Sequence, residues 1–373
     1  MFSNRYKHKT HSILLCFMLL TVPSIASAQQ STITHTIEEA MTSGDHAGLK
    51  ELSSRGAKIK ELLSMEHLPK GGVAAELLVE FKGKLLRYPV KLMRTATHER
   101  CDKDVMGWQV TQAPDKAFTS ALLNVLTSGQ LPQTTADLPA WTKETRLPAL
   151  PVVVTQSSIF TPYGKIAWSV LEQEIDPASP MAEVAPPQEL VKHSQRWVND
   201  FLEEEPGAAA VDLVLDRRIS WQLLNRTIFG VSSVGLYRLN LITETSDGFN
   251  TLAASAPVFG SLPGVEKPVP LVLGYYPVGE NHGWRVSQGK AVLHEDDSCD
   301  AEMSFCTTSE QAFIEKFGAL SKRMRAKKPT NPSFATFATT KDVTVEQAVV
   351  FWQHAAVALG ILERRIFLSY IKR

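Results

Sequence analysis

The sequence predicts an α+β fold: two tandem strand-strand-helix-strand-helix-strand units, each with its helices on one side of a small sheet. A helical and strand-forming N-terminal region precedes them. Three observations carry this prediction. Residues 148–250 and 268–373 show the same order of apolar runs and amphipathic stretches. Gly164-Lys165 and Gly289-Lys290 lie 125 positions apart, as do Gly235 and Gly360, while Ser220 and Thr344 lie 124 apart. Single strands between successive helices imply a small sheet covered on one side. The composition, 44% hydrophobic and 21% charged, suits a globular chain and neither a disordered nor a multi-span membrane one.

The chain opens with an export signal. Arg5, Lys7 and Lys9 precede an apolar stretch from Ile13 to Ile25, and Ala26-Ser27-Ala28 forms a small-x-small cleavage pattern before Gln29. The apolar core is shorter than the roughly 20 residues a membrane span needs. Cleavage between Ala28 and Gln29 removes 28 of 373 residues and leaves 345; losing three of 39 basic residues leaves 36 against 39 acidic ones. No later stretch is apolar enough to span a membrane. The expected location is periplasmic or secreted. The balanced charge provides no bulk attraction to nucleic acid or anionic lipid.

Residues 29–70 are predicted as a helical hairpin, with two short helices between Thr36 and Lys60. Ala40, Gly44-Asp45, Leu49, Leu52, Gly56-Ala57 and Ile59 resemble the helical part of a single ankyrin repeat. One such unit cannot bury its own faces, so a hairpin capping the next domain is expected. Residues 71–147 form a mixed region, with strands over 73–92 around a Lys82-Gly83-Lys84 turn and a helix from Lys116 to Thr127.

Unit 1 spans 148–250. Pro151-Val152-Val153-Val154 begins it, and a second strand passes through Tyr163-Gly164-Lys165-Ile166. Leu190, Val191, Trp197, Val198, Phe201 and Leu202 then stripe one helical face, which Gly207 ends. Val211 to Leu215 is a strand with apolar residues on both faces, as in a doubly covered sheet. Ser220 caps a helix striped by Trp221, Leu224, Ile228 and Val231, with Ile219 and Leu224 placed as a hydrophobic staple. Gly235 ends it before a strand over 237–242. Residues 251–267 read as a linker.

Unit 2 spans 268–373 with the same order. Its signals are Pro270 to Leu273, a strand through Gly289-Lys290-Ala291, and a helix carrying Phe313, Phe317, Leu320 and Met324. A strand near 334–339 follows. Thr344 and Gln347 form a capping box, Gly360 ends that helix, and residues 365–368 form a closing strand.

The stretch from Ala210 to Trp221 resembles the periplasmic domain of the ExbD/TolR biopolymer-transport family. There a strand ends in Asp and an aromatic residue opens the next helix, which ends in glycine before a last strand. The resemblance covers about 148–245 and, more weakly, 268–371, where Thr340 stands at the position of Asp216. It implies a role beside a proton channel of the inner membrane, and a domain that dimerises and contacts peptidoglycan or envelope partners. Members carry a membrane helix with an essential carboxylate, whereas the apolar segment 13–25 has neither Asp nor Glu. The expectation is therefore an accessory, non-enzymatic envelope protein that does not itself translocate protons.

Asp216, Arg217, Arg218 and Trp221 form the candidate partner-binding patch, for an envelope protein, peptidoglycan or a second copy. Solvated charges at a helix entry are the plainer alternative. Of the three cysteines beyond the signal, Cys299 and Cys306 are close enough to form a small-loop disulfide, and all three as free thiols is the other reading. No cofactor or metal is expected. The acidic run from His294 to Asp300 lacks the spacing and internal glycine of a calcium loop. Gly230 to Gly235 misses the spacing of a nucleophile elbow. No phosphate-binding loop, dinucleotide fingerprint, zinc pattern or HExxH occurs. His193 and His354 have no partner at helical spacing. Catalytic groups can converge only in space, so an exported hydrolase or small-ligand-binding protein is the alternative function.

Overall fold

A computed structural model describes residues 22–68, 71–97, 105–134, 148–167, 185–202, 209–246, 248–256, 271–278, 281–288, 305–307, 309–327, 335–339, 343–359 and 366–370. The fold is α+β, with seven helices and two sheets among these residues. No described helix is long and apolar enough to cross a membrane.

The N-terminal layer begins with α1 (Val22–Ser43) and α2 (Ala47–Ser54). Ile33, Ile37 and Met41 recur at helical spacing on α1 and are buried. Four strands follow, β1 (Lys58–Leu68), β2 (Gly72–Phe81), β3 (Lys84–Thr97) and β4 (Val105–Gln112), all antiparallel in chain order. The expected turn joins β2 to β3: Lys82 and Gly83 both have positive φ (50° and 78°), the backbone of a two-residue hairpin turn. Helix α3 (Lys116–Thr127) lies where its pattern predicts, capped by Asp115, whose carboxylate accepts the Phe118 N–H at 2.7 Å.

One expectation fails in this layer. Lys58 to Lys60 is strand, not helix, and the boundary at residue 70 falls inside the four-stranded sheet. Gly56, at φ 84°, stops α2 and sends the chain into β1.

Unit 1 comprises β5 (Ala149–Val154), β6 (Ser158–Thr161), β7 (Gly164–Ala167), α4 (Gln188–Phe201), β8 (Ala210–Leu215), α5 (Trp221–Ser232), β9 (Arg238–Thr245) and β10 (Gly248–Ser255). Unit 2 comprises β11 (Leu271–Val278), β12 (Asn281–Gln288), β13 (Phe305–Thr307), α6 (Glu310–Lys327), β14 (Ala335–Thr339), α7 (Val345–Leu359) and β15 (Ile366–Tyr370). Each unit has three strands before its first helix, one more than the patterns suggest. In unit 1 β7 lies where the second strand is predicted and the extra one is β6, four residues long; in unit 2 β13 has three residues, and the predicted strand through Gly289-Lys290-Ala291 lies outside the described residues. Strands this short show no period. β10 was also not expected, and it occupies the start of the predicted linker.

The units do not form two small sheets. Their strands merge into one sheet ordered β13-β12-β11-β14-β15-β10-β9-β8-β5-β6-β7. β10 is antiparallel to β9 and parallel to β15, so the parallel core strands of the two units run in opposite directions. The two equivalent helix caps meet directly. Ser220 pairs with Thr344 in an antiparallel bridge, Trp221 N–H donates to Val343 O at 2.7 Å, and Val345 N–H donates to Ile219 O at 2.9 Å. Both caps form as predicted. Ser220 Oγ accepts from Leu223 N–H at 3.3 Å, and Thr344 and Gln347 complete the reciprocal capping box.

Helices of both units cover one face of this sheet. Trp197, Trp221 and Trp352 are buried there in a single core with Phe313 and Val345. The N-terminal layer covers the opposite face of unit 1, where Val153, Val214, Ile242 and Phe249 join its core. Strand β8 is apolar on both faces for this reason.

Candidate functional site

The structure divides the four predicted contact residues. Asp216 ends β8 and is buried, and Trp221 at the start of α5 has no exposed surface. Arg217 and Arg218 face solvent. Arg218 grips Asp216 as a fork, with Nε to Oδ1 at 2.9 Å and Nη2 to Oδ2 at 2.6 Å, and its backbone N–H adds a third bond to Oδ1. Burial alone would raise the Asp216 carboxyl, but these Arg218 hydrogen bonds and the nearby positive charges together hold it below the usual carboxylate range. The backbone of Arg217 is tied on both sides, its N–H to Gln130 O at 2.7 Å and its carbonyl to Glu346 N–H at 2.9 Å. The segment thus joins the N-terminal layer, unit 1 and unit 2, and presents two arginines at that junction. Trp221 belongs to the core and is unavailable to an external partner.

The predicted cleavage pair, Ala28 and Gln29, lies within α1. The first buried side chain described on that helix is Ile33, four residues beyond the cut. Cys299 and the acidic run 294–300 lie outside the described residues. Cys306 lies in β13 and His354 in α7, and of these two residues the backbone alone is described.

A second constellation was not predicted. Glu76 on β2, Arg87 on β3, Asp212 on β8 and Asn240 on β9 are all buried, between 1% and 6% exposed. Arg87 Nη2 hydrogen-bonds Glu76 Oε2, and its Nη1 lies 3.8 Å from Asp212 Oδ2. Asn240 Nδ2 donates to Asp212 Oδ1 at 2.7 Å. The cluster spans the interface between the N-terminal sheet and unit 1. Burial pushes the Glu76 carboxyl up to about 7; Arg87 pulls it down and Asp212 adds to the rise. A signal for it was present. Glu76 and Asp212 each interrupt an apolar strand, and a buried acid needs a counter-charge. Nothing local shows that Arg87 serves both.

A third group brings His193 a partner from outside its helix. Thr161 Oγ1, on β6, lies 2.8 Å from His193 Nδ1, and Tyr163 N–H also points to that hydroxyl at 3.3 Å. Burial lowers the His193 pKa, favouring neutral imidazole. Nearby, Tyr163 donates to Asp200 Oδ2 at 3.1 Å, with Arg196 stacked 4.6 Å over its ring. The Thr161–His193 distance suits a nucleophile and base, yet Thr161 has no exposed surface. An open groove of about 640 Å³ lies elsewhere, between α1 and β4; it holds Glu39, Asp45, His46 and Trp108, and His46 Nε2 is bonded to Val110 O at 2.9 Å. Among the described residues, no three His, Cys, Asp or Glu side chains are grouped to hold a metal ion.

Comparison of the chain with family models, with curated proteins and with solved structures finds no match.

Proposed function

We propose that this chain is an exported, non-enzymatic envelope protein. Its tandem units, ExbD/TolR-like in their order of elements, hold an acidic partner surface through Arg217 and Arg218 and do not translocate protons. The observation that carries this reading is the exposed Arg218 guanidinium fixed by a buried carboxylate. The Arg218 side chain stays half exposed beside that carboxylate, and the adjacent Arg217 is exposed as well. Such a preorganised cation loses little entropy on binding, and rim charges steer association toward acidic groups. Envelope proteins and the carboxylates of peptidoglycan supply such groups.

The test is cross-linked affinity purification from the native cell, comparing wild type with Arg217→Glu and Arg218→Glu. The expected result is loss of the same envelope partner in both variants, with unfolding curves unchanged for Arg217→Glu. Retention of that partner in folded variants refutes the rim. Reading the N-terminus of the purified protein tests export, for which a start at Gln29 is expected.

The alternative of an exported hydrolase or small-ligand binder has the Thr161–His193 contact in its favour. The burial of Thr161, and the Tyr163 N–H already directed at its hydroxyl, weigh against it.

A further inference from the structure

Helix α1 carries the residue that the expected cleavage places at a new amino terminus. We propose that Gln29 is a modification site: once the chain is cut after Ala28, its side chain closes on its own α-amine, and the mature protein begins with pyroglutamate. This step rests on the export reading above, because residue 29 has a free α-amine only after that cut.

The chemistry needs nothing beyond residue 29 itself. The α-nitrogen attacks Cδ of the side-chain amide. A bond forms between them and closes a five-membered lactam, while the bond from Cδ to Nε2 breaks. One proton passes from the α-nitrogen to Nε2, which leaves as ammonia. Nothing is oxidised or reduced, and no co-reactant is consumed. The attacking amine must be uncharged, and an ordinary α-amino group titrates at about 7.7–8.0. A usable fraction is therefore free near neutral pH. Gln30 has no such amine, so it stays open for as long as Gln29 precedes it.

Helix polarity favours ring closure at this position. Gln29 lies inside α1, so after the cut it opens a helix that runs on to Ser43. The N–H groups of a first helical turn carry partial positive charge, and an ammonium placed among them is repelled. The first carboxylate beyond Gln29 is Glu38, nine positions away, too far along the helix to hold that ammonium. The repulsion raises the share of free amine, and the lactam removes the charge altogether, as other terminal blocking groups do.

The surroundings of Gln29 allow the reaction. Its Nε2 has no hydrogen-bond partner among the described residues, so its departure as ammonia breaks no hydrogen bond described for it. Gln30, Ser31 and Thr32 are exposed, and Ile33 is the first described residue of α1 that packs into the core. Ring closure turns only the side chain and the α-nitrogen of residue 29. The next turn is held meanwhile by the Thr34 and Thr36 hydroxyls, which donate to Gln30 O and Thr32 O, both at 3.0 Å. Ile33 and Ile37 keep α1 seated throughout. The product has an uncharged end, closed to aminopeptidases that need a free α-amine.

The experiment is mass spectrometry of the tryptic N-terminal peptide, ending at Lys50, from the full chain purified from its native cell. Free α-amines are dimethylated at lysis, so that no ring can form during handling. The expected peptide starts at residue 29, carries no label and is lighter than the encoded sequence by one ammonia. Gln29→Ala keeps Ala28 and the cleavage pattern, and its peptide is expected to start at residue 29 with a labelled amine. A wild-type peptide starting at Gln29 with a labelled, uncyclised amine overturns the proposal and leaves the export reading standing. An ammonia deficit in Gln29→Ala also overturns it, since no side-chain amide remains there to supply one. A chain that is uncut, or that begins at another residue, overturns the export reading and the proposal with it.

Discussion

Trp221→Ala separates core from contact surface at the junction of the two units. Trp221 has no exposed surface, and its neighbours belong to the core shared by the helices of both units. Truncation to Ala leaves the backbone bond from residue 221 to Val343 O in place but removes the indole. A cavity bounded by two units cannot collapse without moving one of them. The expected loss is about 3–5 kcal/mol, the range for a fully buried large aromatic. At about 2–4 °C per kcal/mol, the melting temperature falls by roughly 6–20 °C. Urea unfolding followed by circular dichroism measures this. Arg217→Glu serves as the control, because an exposed side chain should change stability by no more than about 0.5 kcal/mol. Trp221→Ala within about 1 kcal/mol of wild type would refute the argument, above all if the variant still lost its partner. Trp221 would then be acting from the surface.

Two further outcomes follow from the same geometry. Gly48→Ala should be destabilising by about 1–3 kcal/mol although alanine is the better helix former, because its Cβ would fall 1.9 Å from Pro114 O and 2.7 Å from the Tyr88 hydroxyl; a urea midpoint at or above wild type would count against this packing. Arg218→Met should make the chain more acid-sensitive. The Asp216 carboxyl is depressed in the fold, so its stabilisation is present above the unfolded pKa and lost as pH falls through the lower folded value. Without Arg218 that stabilisation disappears and burial raises the carboxyl instead. Urea midpoints taken between pH 3 and pH 7 should diverge, and superimposed curves would show that the fork contributes nothing.

Signals confined to one turn or one cap were legible. The Lys82-Gly83 turn, the Lys116–Thr127 helix, the Ser220 cap and the Thr344–Gln347 box each depend on groups within about four residues, so the sequence carries them whole. Short strands were not. β6 has four residues and β13 has three. Their pairing partners, not their own pattern, make them strands. Lys58 to Lys60 opens β1, and the helical signal that precedes it masked the strand.

The candidate sites divide along the same line. An amphipathic stripe assigned Trp221 to one face of a helix, but it could not tell that α5, packed against α4, α7 and β15, would also bury Asn225, Arg226 and Thr227. His193 showed no partner because Thr161 lies 32 residues away on another element. Glu76 and Asp212 were visible as lone acids in apolar strands, yet 136 positions separate them.

By itself, the sequence determined the α+β class and the two helix caps at Ser220 and Thr344, because each follows from local periodicity and hydrogen bonding. Only the tertiary structure decided that two units share one sheet, that the N-terminal layer seals one face of it, and that one arginine serves two buried carboxylates. Those outcomes depend on which surfaces exclude water together, and burial of that kind is a property of distant segments meeting.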